Sequence, residues 1–276
     1  MAKATADTRF ATPKPLKSHG PARIIAMCNQ KGGVGKTTTS INMSAALAEY
    51  GRKVLLIDFD PQGALSAGLG VNAHDATTIY DLMLDRTIDP STAIQHTDNP
   101  NLDVIPANIE LSAAEMKLVN EIAREQILAK ILKQVAGDYD AIIIDCQPSL
   151  GLLTVNALTA AHGVIIPLAT EFFALRGVAI LEDIIGKVKE GLNPALQLDG
   201  ILATMVDTRT LHSREVLERL KEAFGDKLFK SQVHRTVKFP DATVAQEPIT
   251  AFAPTSDAAE VYRSVAKELV ARGCVA

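Results

Sequence analysis

Tryptophan is absent from the 276 residues, and aromatic side chains make up only 4% of them. With 47% of the chain hydrophobic, its core must be aliphatic. Cysteine is scarce too. Cys28, Cys146 and Cys274 are odd in number, widely spaced and free of any CxxC pairing. That usage argues against a disulfide framework or a zinc site and fits a reducing cytoplasm. No apolar run reaches the roughly 18 residues of a bilayer span, and the first residues lack the apolar centre of a signal peptide. A dominant charge is also missing. Lys and Arg number 28 against 32 Asp and Glu, a net charge of −4, so any DNA binding must come from a local patch.

What the chain does have is alternation. RIIAMCN (23–29), VLLID (54–58), LDVIP (102–106), AIIID (141–145), GVIIPL (163–168) and GILATMV (200–206) are short aliphatic runs. Runs that are continuous rather than alternating predict strands buried on both faces, hence a parallel sheet covered by helices. Helical spacing fills the gaps, first over 37–50 with Gly51 as a natural cap, then near 112–135, 151–161, 174–190 and 212–224. No repeat or interior linker interrupts them. Residues 23–276 are therefore expected to form one α/β domain, a doubly wound, mostly parallel sheet with helices on both faces. Residues 1–22, with Lys3, Arg9, Lys14 and Lys17 against Asp7 and little periodicity, read as a disordered, mildly basic tail.

The chemistry concentrates in CNQKGGVGKTTT (28–39). It follows the phosphate-loop pattern G-x-x-x-x-G-K-[ST], except that Gln30 takes the first glycine position and a second lysine, Lys31, precedes Lys36 by five residues. The order strand, glycine loop, helix places the loop at the carboxyl edge of the sheet, where α/β proteins bind ligands. Gly32, Gly33 and Gly35 let backbone N–H groups close around phosphate oxygens, and the helix starting near Lys36 directs its positive end at them. Lys36 is expected to reach the β- and γ-phosphates, and the Thr37 hydroxyl to ligate Mg²⁺. Val34 and Thr38 complete the candidate nucleotide loop, which runs from Lys31 to Thr38.

Two acidic strand ends support this reading. AIIID ends at Asp145, the position of the acid that holds magnesium, usually through water, in phosphate-loop proteins. VLLIDFDPQG places Asp58 and Asp60 two residues apart and so on one side of an extended strand. An acid beyond that strand is suited to orienting a water against the γ-phosphate.

KGGVGKTT, LLIDFDPQG and IIIDCQPSLGLLTVNAL together resemble the deviant Walker A ATPases of the ParA/Soj/MinD group. The similarity runs from about residue 22 to 270, and NLDVIPANIELSAAEM with the AEVYRSVAKEL ending is similar to the chromosomal ParA/Soj branch. The resemblance implies ATP and Mg²⁺ as cofactors and a face-to-face homodimer in which Lys31 contacts the partner's phosphates. It assigns hydrolysis to Asp60 and gives Asp58 to the magnesium region. It also implies that Val233, His234 and Thr236 pack on the adenine, largely through backbone. Two departures stand out: Gln147 replaces a proline of the DCPPS block, and VHRTVK (233–238) replaces IPRNVR, with His234 as a shape substitute for proline.

The same branch binds DNA without sequence preference through cations that join into one patch in the dimer. The matching positions are Arg209 and Lys238, with Arg235, Arg214 and Lys221 as helpers. The expected partners are a ParB-like centromere-binding protein and the nucleoid. A MinD-like membrane anchor needs a C-terminal helix dense in cations and bulky apolar groups. Here Val261, Val265 and Leu269 share a face with only Arg263, Lys267 and Arg272 nearby, which reads as core packing, so no membrane is expected. Two rivals to partition stay open, a ParA-like positioner of a division, polar or chemotaxis complex and a nitrogenase-reductase-like enzyme. The latter would want paired cysteines for an iron–sulfur cluster shared across the dimer, and the spacing of Cys28, Cys146 and Cys274 offers no such case.

Overall fold

In the computed structural model, which describes residues 9–171 and 174–276, each of the six aliphatic runs becomes a strand. The strands are β1 (Arg23–Met27), β2 (Val54–Phe59), β3 (Gln95–His96), β4 (Leu102–Ile105), β5 (Ala141–Cys146), β6 (Gly163–Ala169) and β7 (Gln197–Thr204). They form one sheet in the order β3-β4-β2-β5-β1-β6-β7, parallel except for the short antiparallel edge strand β3. The helices are α1 (Lys36–Glu49), α2 (Ala64–Gly68), α3 (Ile79–Leu84), α4 (Ala114–Lys117), α5 (Ile127–Val135), α6 (Leu152–Ala160), α7 (Ala174–Gly191), α8 (Leu211–Phe224), α9 (Lys238–Val244), α10 (Ile249–Phe252) and α11 (Asp257–Ala271).

Alternate residues of each central strand enter different cores. Ile25 and Met27 of β1, with Leu56 of β2 and Ile143 of β5, pack with α1 and α11. Ile24, Ala26, Ile57 and Ile144 pack on the other face with α3, α5, α6 and α7. Burial on both sides is why these strands read as unbroken aliphatic runs. Helix α1 ends as its sequence suggests, with Gly51 at φ 74° just past the cap residue Tyr50.

The long helix expected near 112–135 is not formed. A 3-10 turn (Ile109–Ala113), the single turn of α4, and then α5 take its place. Ala123 adopts a left-handed φ of 56°, which no α-helix continues through. Asn156 of α6 stabilises the break, accepting from Leu128 N at 3.2 Å and donating to Arg124 O at 2.9 Å.

Residues 9–22 also differ from the expected disorder. Arg9 donates to Lys230 O at 3.0 Å, and the buried Arg52 donates to Lys14 O at 2.7 Å. The carboxylate of Asp140, itself buried, takes His19 Nδ1 at 2.7 Å, Gly20 N at 3.0 Å and Lys53 N at 2.8 Å. One acid thus joins the leader to the start of β2, and residues 9–22 run as a strap over the amino ends of the strands. The tail assignment for residues 1–8 lies outside the described residues.

Asp140→Ala leaves two backbone donors unpaired. It is expected to cost about 2 kcal/mol of stability and to speed tryptic cleavage at Lys17. Thermal denaturation and timed proteolysis check this, and cleavage at the wild-type rate would mean that Asp140 does not hold the strap.

Candidate nucleotide site and its charged surroundings

Every parallel strand points its carboxyl end the same way, so the loops after β1, β2 and β5 meet on one edge. The glycine loop leaves β1 at Met27 and is pinned by Asn29, whose Nδ2 donates to Pro167 O at 2.7 Å while its Oδ1 accepts from Lys31 N at 2.9 Å. Val34 is buried, and its carbonyl accepts from Thr204 Oγ1 of β7 at 2.8 Å. Gly33 and Gly35 lie at φ 71° and 85°, where a side chain would be strained. A Cβ on Gly32 or Gly33 would meet nothing within 4 Å, so the loop surrounds open space. No side chain caps α1, which leaves its first N–H groups for an anion in that space.

Lys36 is buried and its Nζ donates to Lys31 O at 3.3 Å, spanning the loop from inside. Thr37 Oγ1 donates to Asp145 Oδ2 at 2.6 Å, and Ser40 Oγ to Asp145 Oδ1 at 2.9 Å. Asp145 pairs in register with Asp58 on the neighbouring strand. Asp58 is fully buried. Its Oδ2 accepts from Ser66 N at 2.9 Å and Ser66 Oγ at 2.7 Å, and its Oδ1 from Asp60 N at 3.3 Å. Burial pushes the Asp145 carboxyl up to about 7, with the Asp58 charge adding to it and Thr37, Ser40 and Lys36 opposing. Burial likewise raises Asp58 to about 6 against its hydrogen bonds from Ser66.

Two adjacent buried carboxyls and a threonine hydroxyl, all oxygen donors, fit a small hard cation such as Mg²⁺. Thr37 and Asp145 would hold it, while Asp58 fixes the start of the turn that carries Asp60. Among the described residues no group of three or more His, Cys, Asp or Glu could form a metal cage on its own. That is consistent with a cation whose remaining ligands are phosphate and water. Asp60 closes the turn after β2, its carbonyl accepting from Gly63 N at 2.9 Å and its Oδ1 from Gln62 N at 3.0 Å.

Beside the loop lies a cavity of about 570 Å³. Val233, His234, Thr236 and Thr38 line it, so the segment assigned to the base meets the phosphate loop. Backbone bonds set that wall: Val206 N donates to Val233 O at 3.0 Å and Arg235 N to Val206 O at 3.2 Å. Sequence reasoning missed Met205, Phe239 and Tyr262, which supply the apolar walls. Phe239 and Tyr262 meet edge to face at 5.5 Å, and Tyr262 OH bonds Thr39 Oγ1 at 3.2 Å. Glu171 was missed as well. It lines the cavity and pairs with Lys31 Nζ, a bond that holds the Glu171 carboxyl below its usual range. Lys31 therefore lies on the surface while Lys36 occupies the loop.

The cations assigned to DNA are less uniform. Lys238 starts α9 and is exposed, and Arg214 and Lys221 are exposed on α8. Arg209 is exposed but forms a bidentate pair with Asp207, whose carboxyl its hydrogen bonds hold down near 2. Arg235 lines the base cavity, with its guanidinium 3.9 Å from Met205 Sδ.

A glycine cradle built for phosphate, joined at one sheet edge to an apolar cavity of base size, makes this a phosphate-loop nucleotide-binding protein. Residues 22–198 match the family model described as AAA domain. The chain is 47% identical over 252 residues to the sporulation initiation inhibitor protein Soj of Bacillus subtilis, covering 91% of this chain and 99% of that one. It is 44% identical to the chromosome partitioning protein ParA of Myxococcus xanthus, covering 91% and 88%. It thus belongs to the ParA/Soj family of P-loop ATPases. Among solved structures it is similar to cobyrinic acid a,c-diamide synthase from Mycobacterium smegmatis with bound ADP and magnesium. That match has a TM-score of 0.79 and 40% identity and covers 90% of this chain and 94% of that one.

A carboxyl whose folded pKa exceeds its unfolded value takes up a proton on folding. The stability it gives is complete below about pH 4 and is lost as pH rises through about 6 for Asp58 and about 7 for Asp145. In metal-free buffer without nucleotide, stability should fall between pH 5.5 and 8, and less so in Asp145→Asn. Thermal denaturation at both values checks this; equal slopes for the two proteins would contradict the assigned burial cost.

Proposed function

We propose that this chain is an ATP- and Mg²⁺-dependent partition switch. ATP binding drives a face-to-face homodimer, the dimer holds DNA without sequence preference, and hydrolysis releases it. The observation that carries this reading is the division of labour between two lysines. Lys36 is buried in its own loop, while Lys31 stands on the surface within reach of a second molecule. In the proposed dimer Lys31 contacts the partner's phosphates, so association depends on both nucleotides.

In each site the glycine-loop N–H groups and Lys36 balance the phosphate charge, and Thr37 with Asp145 would hold a Mg²⁺ ion, which would neutralise phosphate charge. Asp60 orients the water that attacks the γ-phosphorus in line with the leaving oxygen. Hydrolysis by the chain alone is slow, and a ParB-like centromere-binding partner accelerates it. Arg209 and Lys238 of both subunits supply the DNA patch, with Arg214 and Lys221 beside it. The protein works in the cytoplasm on the nucleoid and drives chromosome or plasmid segregation.

Two alternatives have less support. A MinD-like positioner that reads a membrane needs a free amphipathic helix. Val265 and Leu269 of α11 are instead fully buried against α1, and no helix among the described residues is long and apolar enough to cross a membrane. A diamide synthase that takes its ammonia from glutamine needs a reachable thiol nucleophile, and all three cysteines are buried.

Lys36→Ala should lose nucleotide binding, because a principal cation for the β- and γ-phosphates is gone. Lys31→Ala should bind ATP as a monomer at nearly wild-type affinity and fail to dimerise. Light scattering with and without ATP decides this, and wild-type dimers of Lys31→Ala would overturn the division of labour.

Duplex DNA of arbitrary sequence should bind far more tightly with ATP than without, and its affinity should drop steeply with salt as counterions return to the phosphates. The double change Arg209→Glu and Lys238→Glu should abolish this while ATP-dependent dimers persist. Gel shifts at two salt concentrations, beside sedimentation with anionic liposomes, provide the check. Liposome binding without DNA binding would favour the membrane positioner.

A further inference from the structure

A cation that contacts DNA should present its hydrogen-bonding edge to phosphate, yet Arg209 has spent that edge internally. Its Nε and Nη2 donate to Asp207 Oδ1 and Oδ2 at 2.8 and 2.7 Å, the fork geometry a phosphate would otherwise take. The Arg209 side chain is 88% exposed and that of Asp207 only 30%, so the aspartate is the fixed member and the arginine the mobile one. Backbone bonds explain the fixity. Asp207 Oδ1 also accepts from Arg209 N at 3.1 Å, and the Asp207 carbonyl accepts from Thr210 N at 3.1 Å at the start of α8. Thr170 Oγ1, in the loop after β6, bonds Ser213 Oγ at 2.9 Å and so ties that helix start to the core.

The same short segment touches the nucleotide site. Thr204 bonds the carbonyl of Val34 inside the glycine loop. Met205 lines the base cavity at φ 52°, a left-handed conformation that costs a long side chain energy. Two residues later comes Asp207. Met205 thus links the wall of the base cavity, two residues along the chain, to the carboxylate that holds Arg209.

We propose that Asp207 is an internal counterion that keeps Arg209 off DNA until the nucleotide cavity is filled, an inference that rests on the DNA-binding reading above. Asp207 acts through Arg209 and is a positioning residue. In the nucleotide-free chain it neutralises the cation locally and sets a carboxylate where phosphate would approach. With nucleotide bound, the pair loosens and Arg209 turns to the duplex. DNA affinity is thereby set by nucleotide within each subunit, in addition to the doubling of the patch by dimerisation.

The test is a four-way comparison of wild type, Asp207→Asn, Arg209→Gln and the double variant. Asp207→Asn keeps a side-chain carbonyl for Arg209 N and so preserves the turn. Fluorescence anisotropy with a duplex of arbitrary sequence reads affinity at several salt concentrations, with Mg²⁺ and either ATP or no nucleotide. Without nucleotide, Asp207→Asn should bind DNA about threefold more tightly than wild type at low salt, as expected for one exposed charge removed from each chain, and with ATP the two should be close. Its nucleotide-free salt slope should steepen by about one per chain, and the ratio of affinities with and without ATP should shrink. In the Arg209→Gln background the gain should vanish. Unchanged or weaker nucleotide-free binding by Asp207→Asn, or a gain that persists without Arg209, would overturn the counterion role. If the wild type fails to bind DNA with ATP and Mg²⁺, the DNA reading itself falls, and the counterion role with it. A wild type that binds with ATP, an Arg209→Gln that binds less and an Asp207→Asn equal to wild type without nucleotide would sink only the present inference.

Discussion

Asp58 and Asp145 stand side by side at the ends of two paired strands, both buried, and the site is organised around that juxtaposition. Neighbouring carboxyls in a low-dielectric position resist ionising together. The protein limits the cost with local donors, Ser66 for one acid and Thr37 with Ser40 for the other. These bonds do not return either carboxyl to its ordinary value. The carboxyl edge of the sheet is consequently an incomplete electrostatic structure. A cation brought by a polyphosphate completes it, and the uncapped start of α1 with Lys36 receives the phosphate's own charge. Nucleotide binding and relief of buried charge are then linked at this edge.

The loops at this edge carry several of the groups with assigned roles. The turn after β2 holds Asp60, the loop after β6 holds Glu171 against Lys31, and the loop after β7 runs from Met205 to Arg209. The opposite edge has a different task. There Asp140 and Arg52 fasten the strap of residues 9–22 with bonds to backbone and to His19. The strap is fastened at the amino ends of the strands, away from the edge that carries the nucleotide site.

Much of this was legible in the sequence because it is local. Six parallel strands declared themselves through unbroken aliphatic runs, and the glycine loop through its spacing. The edge strand β3 was invisible, since Gln95 and His96 carry no strand pattern and pair only because β4 is at hand. The span 112–135 was misread as one helix because Met116, Val119 and Ile122 recur at near-helical spacing while standing exposed. The strap escaped notice because its anchors are remote in sequence: Asp140 is 121 residues from His19. Distance along the chain also hid the base cavity, which joins Tyr262 and Phe239 to Thr38. Lone cations were the hardest to read, because their meaning depends on neighbours. Arg209 is held by an aspartate two residues away, and Arg235 faces the base cavity.

The central claim is that the buried acids leave the site unbalanced until a metal-bound nucleotide arrives. Titration calorimetry of ATP into the nucleotide-free chain, once with Mg²⁺ and once with EDTA, addresses it most directly. Binding should be tight with Mg²⁺ and at least tenfold weaker without it, about 1.4 kcal/mol or more. Equal affinity under both conditions would mean that Asp145 and Thr37 hold no cation and that the loop alone accounts for binding.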